Sequence, residues 1–121
     1  MNTKKSLIII GGLASGKSTL LKQVASLFKE DKVVNSHVSE KDMILKSKKS
    51  LKGLVKGKKL ITFDGGSIED IESLETGILD LKVKTPPRIY SANHNVSLSD
   101  INTELFSVIC VNHHEAALAA S

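Results

Sequence analysis

Eight consecutive residues, Gly11-Gly12-Leu13-Ala14-Ser15-Gly16-Lys17-Ser18, restrict the fold more than anything else in the chain. They satisfy the pattern G-x-x-x-x-G-K-[ST], whose backbone N–H groups wrap around a phosphate. The pattern has meaning between a strand and a helix, and both flanks comply. Leu7-Ile8-Ile9-Ile10 is a short apolar, β-branched run suited to a buried parallel strand. Leu20, Leu21, Val24, Ala25, Leu27 and Phe28 recur at helical spacing, so a helix opens at about Gly16. Glycines let the backbone approach the oxygens closely, and the helix N-terminus adds partial positive charge at the same point. In this motif Lys17 reaches the β- and γ-phosphates and the Ser18 hydroxyl ligates Mg²⁺. Gly11, Gly12, Leu13, Ala14, Ser15, Gly16, Lys17, Ser18 and Thr19 are therefore the expected nucleotide-binding segment, with ATP and Mg²⁺ as the expected ligands.

The remainder alternates between strand and helix patterns. Val33 to Val38 reads as a second strand. Ser39 and Asp42 resemble a capping box ahead of Met43, Ile44, Leu51, Leu54 and Val55, which follow at broadly helical spacing. Lys59-Leu60-Ile61-Thr62-Phe63-Asp64 is a third strand that ends in a carboxylate, and Gly65-Gly66 is expected to break it. Ser67 and Asp70 cap an amphipathic helix marked by Ile68, Ile71, Leu74, Ile78 and Leu81. Pro86-Pro87 resets the chain. Arg88 to Ala92 is strand four, a short helix starts between Ser97 and Ser99, and Phe106 to Val111 is strand five. Ala116 to Ala120 reads as a helical or frayed end. The pattern predicts an α/β fold with a five-stranded parallel sheet and helices on both faces. In such sheets ligands sit at the carboxyl ends of the strands, where Gly11, Asp64 and Asn93-His94 all fall.

At 121 residues the chain is one domain, spanning residues 1–121. It is large enough to bury roughly two-thirds of its unfolded surface without disulfides. With 40% hydrophobic and 25% charged residues, its composition is that of ordinary soluble domains. Lys4-Lys5 followed by Leu7 to Ile10 imitates an export signal, but the apolar run is too short and the phosphate loop explains the same residues. No run approaches membrane-spanning length, and the expected location is cytoplasmic. Cys110, the single cysteine, lies in the apolar run Phe106 to Val111 and reads as a buried small hydrophobe.

The net charge of +4 comes from sixteen lysines and one arginine, Arg88. Eight lysines fall between Lys41 and Lys59, and six acidic residues between Asp64 and Asp80. The Lys41–Lys59 segment reads as a solvated face, or as a surface for a protein or anionic partner. Aromatics are only 3% of the chain, so base stacking is unsupported and a nucleic-acid contact would be to phosphates. His113-His114-Glu115 reads as a surface turn rather than a metal site, because adjacent side chains of an extended chain point to opposite faces.

Asp64 is the second anchor of the site. A carboxylate at that strand end suits a Mg²⁺–water shell opposite the Ser18 hydroxyl. With Gly11 to Thr19 as Walker A and Leu60 to Asp64 as Walker B, the chain resembles the P-loop NTPase superfamily. The strand and helix intervening before Asp64, and Asn93 at the end of the next strand, look like the additional-strand ATPases. By that resemblance Asn93 senses the γ-phosphate, Lys17, Asp64 and Asn93 form the catalytic set, and the strand order is 5-1-4-3-2. Ser91-Ala92-Asn93-His94, the lysine-rich helix and Leu74 to Gly77 are faintly similar to secretion and pilus-retraction ATPases.

Two departures from that resemblance predict slow hydrolysis. The position after Asp64 is Gly65, where those ATPases carry a water-polarising glutamate, and neither Glu69 nor His94 has the family's spacing. Arg88, the only arginine, stands at the start of strand four, away from the phosphates, although arginine commonly stabilises the transferring phosphoryl group. Three alternatives follow. A small kinase is suggested because Gly11 to Thr19 also looks like the loop of uridine-kinase-type enzymes, and Phe63-Asp64-Gly65 resembles the adenylate-kinase strand. The chain lacks the length and arginines of their lids. A binding module that barely hydrolyses nucleotide is the second. A GTPase is the third and weakest, since no N-K-x-D appears and Asp64-Gly65-Gly66-Ser67 departs from D-x-x-G.

Overall fold

A computed structural model of the chain describes residues 5–12 and 16–111. Nine principal elements follow one another: β1 (Ser6–Ile10), α1 (Lys17–Ala25), β2 (Val33–His37), α2 (Lys41–Ile44), α3 (Lys48–Val55), β3 (Leu60–Gly66), α4 (Ile68–Leu79), β4 (Arg88–Ala92) and β5 (Phe106–Cys110). All ladders are parallel, in the order β2-β3-β4-β1-β5. Read from the other edge this is the expected 5-1-4-3-2 arrangement.

The layering follows from the direction of the crossovers. α1 carries the chain from β1 to the edge strand β2, and every later connection moves back the other way. Right-handed crossovers then place α1 on one face and the remaining helices on the other. The two cores agree. Ile9, Leu21, Leu60 and Ile89 pack on the α1 side. Ile8, Phe63 and Tyr90 pack with Leu51, Val55, Ile71, Leu74 and Ile78 of α3 and α4 on the opposite side. Phe63 and Tyr90 stack at 5.1 Å between ring centroids, and Phe106 meets Tyr90 edge-on at 5.7 Å.

Local signals set most element ends, and some were overridden. Ser67 caps α4 as expected, its hydroxyl accepting the Asp70 N–H at 3.3 Å. Leu98–Asp100 forms a short 3₁₀ turn with a capping box between Ser97 and Asp100. The stretch from Met43 to Val55, by contrast, is two helices. Ser47 adopts extended backbone and accepts the Ser50 N–H at 3.1 Å, which starts α3 afresh. Ser39 forms no cap because Val38–Glu40 is itself a 3₁₀ turn running into α2. Met43 is left 72% exposed. α1 ends at Ala25, so Leu27 and Phe28 do not continue its buried stripe and are exposed.

β3 runs through Gly65-Gly66 instead of stopping at Asp64. Gly66 faces Ala92, and a Cβ there would overlap the Val38 side chain, so this close approach requires glycine. Cys110 is exposed, not buried, because among the described residues β5 is an edge strand that pairs only with β1. Among the described residues no helix is long and apolar enough to cross a membrane. The expectations for His113, His114, Glu115 and Ala116 to Ala120 lie outside the described residues, as do those for Leu13, Ala14 and Ser15 within the glycine-rich loop.

Candidate functional site

β1 and β4 are neighbours whose outgoing connections pass to opposite faces of the sheet, and such a switch point opens a crevice at the strands' carboxyl ends. Gly11-Gly12 follows β1 there, Asp64 lies near the end of β3, and Asn93 follows β4. α1 begins directly after Gly16, whose φ of 91° lies in the left-handed region that glycine adopts without a Cβ penalty. The first turn of α1 carries no carboxylate and no side-chain cap, so its amide groups and dipole present positive potential toward the crevice.

Four side chains converge across α1, β3 and β4. Lys17 Nζ donates to the carbonyls of Gly11 at 2.8 Å and Gly12 at 3.0 Å. Burial lowers the Lys17 pKa from its ordinary value, and the Asp64 carboxylate opposes that shift. Ser18 Oγ lies 3.1 Å from both carboxylate oxygens of Asp64. Ser91 Oγ donates to Asp64 Oδ1 at 2.5 Å. One helix thus sets a hydroxyl and an ammonium at adjacent positions, with a carboxylate reaching the hydroxyl from the sheet. Hydroxyl and carboxylate oxygens are the hard donors that Mg²⁺ takes while keeping waters and phosphate oxygens in its remaining positions. The residues present fit that ion.

The other expected site residues are placed less directly. Thr19 is exposed on α1. Asn93 is exposed, with its backbone N–H given to Gly66 O at 2.8 Å. Its side chain is not tied to Ser18, Asp64 or Ser91. His94 lines a cleft of about 430 Å³ with Ile10, Gly11, Gly12, Val96, Cys110 and Val111. Glu69 is exposed in the first turn of α4. Arg88 stands at the far, amino end of β4, where it is buried against Glu75.

Two side chains had no role assigned from the sequence, although the structure ties each into a hydrogen-bond network. Ser91 entered only as the first residue of the Ser91-Ala92-Asn93-His94 segment, and within strand four its polarity among Ile89, Tyr90 and Ala92 was the available signal. Glu75 shares the buried face of α4 with Ile71, Leu74 and Ile78. Its position, four residues after Ile71, was the available signal for an inward-facing carboxylate. The lysine-rich segment is partly matched within the fold, since Lys41 contacts Asp42 and Asp70 at 3.3 Å and Lys48 lies 3.9 Å from Asp80. Lys46, Lys49, Lys52 and Lys56 are exposed.

No family model and no curated protein matches this chain.

Proposed function

We propose that the chain binds a Mg²⁺–nucleoside triphosphate, ATP in the first instance, at the carboxyl ends of β1 and β3, as a P-loop NTPase of the additional-strand type. The observation that carries this reading is the Ser18 hydroxyl 3.1 Å from the Asp64 carboxylate, one residue after an ammonium bonded to the Gly11 and Gly12 carbonyls. Loop amides and the α1 N-terminus receive the phosphates, and Lys17 leaves its two carbonyl partners for the β- and γ-phosphate oxygens. Ser18 and Asp64 would hold the Mg²⁺, which when bound would draw charge from the phosphates. Asn93, after β4, is the candidate γ-phosphate sensor.

Turnover by the isolated chain is slow. Gly65, with no side chain, follows Asp64. The single arginine is engaged by Glu75 and is 6% exposed. A well-placed general base contributes about 10²–10⁴-fold in rate, and an arginine finger about 10³–10⁵-fold. The exposed lysines of the Lys41–Lys59 face offer a protein or other anionic partner a surface from which to complete the site.

ATP binding by Asp64→Ala tests the metal role. The expected result is a large loss of affinity with Mg²⁺ present and little change in EDTA, because the carboxylate repels bare phosphates. An equal loss under both conditions would make Asp64 structural. Turnover measured with and without small-molecule acceptors tests the class. Steady ADP release below about 1 s⁻¹ without acceptor is expected, and acceptor-stimulated release would identify a small kinase instead.

A further inference from the structure

We propose that Ser91 is the positioning residue that fixes the Asp64 carboxylate for Mg²⁺, and that a bulge in β3 is the device that joins them. The inference rests on the nucleotide-binding reading given above.

The β3–β4 ladder pairs Phe63 with Tyr90 and Gly66 with Ala92. Asp64 and Gly65 on β3 therefore face one residue, Ser91, on β4. Two residues against one is the count of a β-bulge, which leaves ladder groups unpaired and re-aims a side chain. Gly65 sits at φ 63°, in the left-handed region that admits glycine most readily. Its N–H has left the regular ladder and donates to Ser91 Oγ at 2.9 Å.

That contact decides which way the Ser91 hydroxyl points. A serine hydroxyl has one proton and two lone pairs. With a lone pair committed to the Gly65 N–H, the proton goes to the neighbouring acceptor, Asp64 Oδ1, at 2.5 Å. Ser91 is 1% exposed, so water does not compete for it, while Asp64 is only half-buried. Ser18 lies 3.1 Å from each Asp64 oxygen and so selects neither. Once Ser18 turns its oxygen toward a cation, the bond from Ser91 still fixes Oδ1 and leaves Oδ2 facing the crevice. Groups that orient a ligating carboxylate in this way typically cost about 10–100-fold in metal affinity when removed.

The test is ATP binding followed against Mg²⁺ concentration in the full chain, in Ser91→Ala and in Ser91→Cys, whose thiol is a weak donor of similar size. Each folded variant is expected to need about tenfold more Mg²⁺ at the midpoint, with ATP affinity in EDTA unchanged. Placing Ser91→Ala in an Asp64→Ala background should add nothing further to the Mg²⁺ requirement. Gly65 amide exchange, read by NMR without ligand, should quicken in Ser91→Ala. A folded Ala or Cys variant with the wild-type Mg²⁺ midpoint would overturn the role of Ser91 while leaving nucleotide binding intact. Failure of the wild-type chain to bind Mg²⁺–ATP would overturn both.

Discussion

The two ends of β4 treat charge in opposite ways. At the amino end, Glu75 accepts from Arg88 Nε at 2.7 Å, Arg88 Nη2 at 3.0 Å, Tyr90 at 2.9 Å and Ser6 at 2.6 Å. Arg88 Nη1 donates to Thr85 and to the Pro86 carbonyl, both at 2.8 Å. Ser6, Glu75, Arg88 and Tyr90 are all buried, and every donor finds a protein acceptor. At the carboxyl end, Lys17, Ser18 and Asp64 are half-buried or exposed: Lys17 reaches loop carbonyls, Ser18 meets the Asp64 carboxylate, and Asp64 also accepts from Ser91. The first arrangement is complete without anything bound, and the second is the one proposed to take a cation and phosphates. The contrast also explains the missing arginine chemistry. Arg88 and Ala92 are the two ends of a five-residue strand, roughly 13 Å apart at the rise of a β-strand, and the guanidinium is held against Glu75 instead of beside Lys17, Ser18 and Asp64.

If that division is right, substitutions at the two ends separate stability from binding. Glu75→Ala has the largest expected effect, because it strands a buried guanidinium together with two hydroxyl donors. Losing one partner of a buried ion pair costs about 3–5 kcal/mol. Urea unfolding should show that loss, while the folded fraction keeps its Mg²⁺–ATP affinity. A loss smaller than about 1 kcal/mol, no more than an ordinary surface change, would mean that the amino-end network is not structural.

Tyr90→Phe removes one hydrogen bond to a carboxylate, worth about 1.5–3 kcal/mol. The same group gives the comparison a pH axis. Burial, then the Glu75 charge and hydrogen bond, push the Tyr90 pKa well above its ordinary value. The folded pKa exceeds the unfolded one of about 10. The neutral phenol therefore stabilises the fold fully below that pH, and the contribution fades as pH rises toward the folded value. Tyr90 is the only tyrosine and the chain has no tryptophan, so tyrosinate absorbance reports this residue alone. It should rise together with unfolding. Ionisation near pH 10 in a chain that stays folded would show an open amino end.

Most element boundaries were legible because they rest on local signals, whereas the strand order came from the resemblance to the additional-strand ATPases and matches the sheet. Apolar β-branched runs marked β1 and β3, Ser67 and Asp70 marked the start of α4, and Pro86-Pro87 marked the approach to β4. Lys17, Ser18 and Asp64 could be singled out because phosphate and metal chemistry asks for fixed residue types and spacing, and the structure brings Ser18 and Asp64 together. The misses have non-local causes. Glu75 gains its meaning from Arg88, Tyr90 and Ser6, the last of these 69 residues away in sequence. Ser91 gains its meaning from a register shift in a neighbouring strand. Helical spacing could not show that Ser47 restarts a helix in mid-segment. Nor could the apolar run around Cys110 show that its strand lies at the sheet's edge.

The binding role proposed for the carboxyl end is tested most directly at Lys17, whose ammonium reaches two loop carbonyls and is not part of either core. Equilibrium binding of Mg²⁺–ATP should be measured in the wild-type chain and in Lys17→Ala, with thermal melts recorded in parallel. The expected outcome is at least about tenfold weaker binding, roughly 1.4 kcal/mol, at a melting temperature close to that of the wild type. A folded Lys17→Ala chain that binds Mg²⁺–ATP as tightly as the wild type would contradict a phosphate site at this end of the sheet.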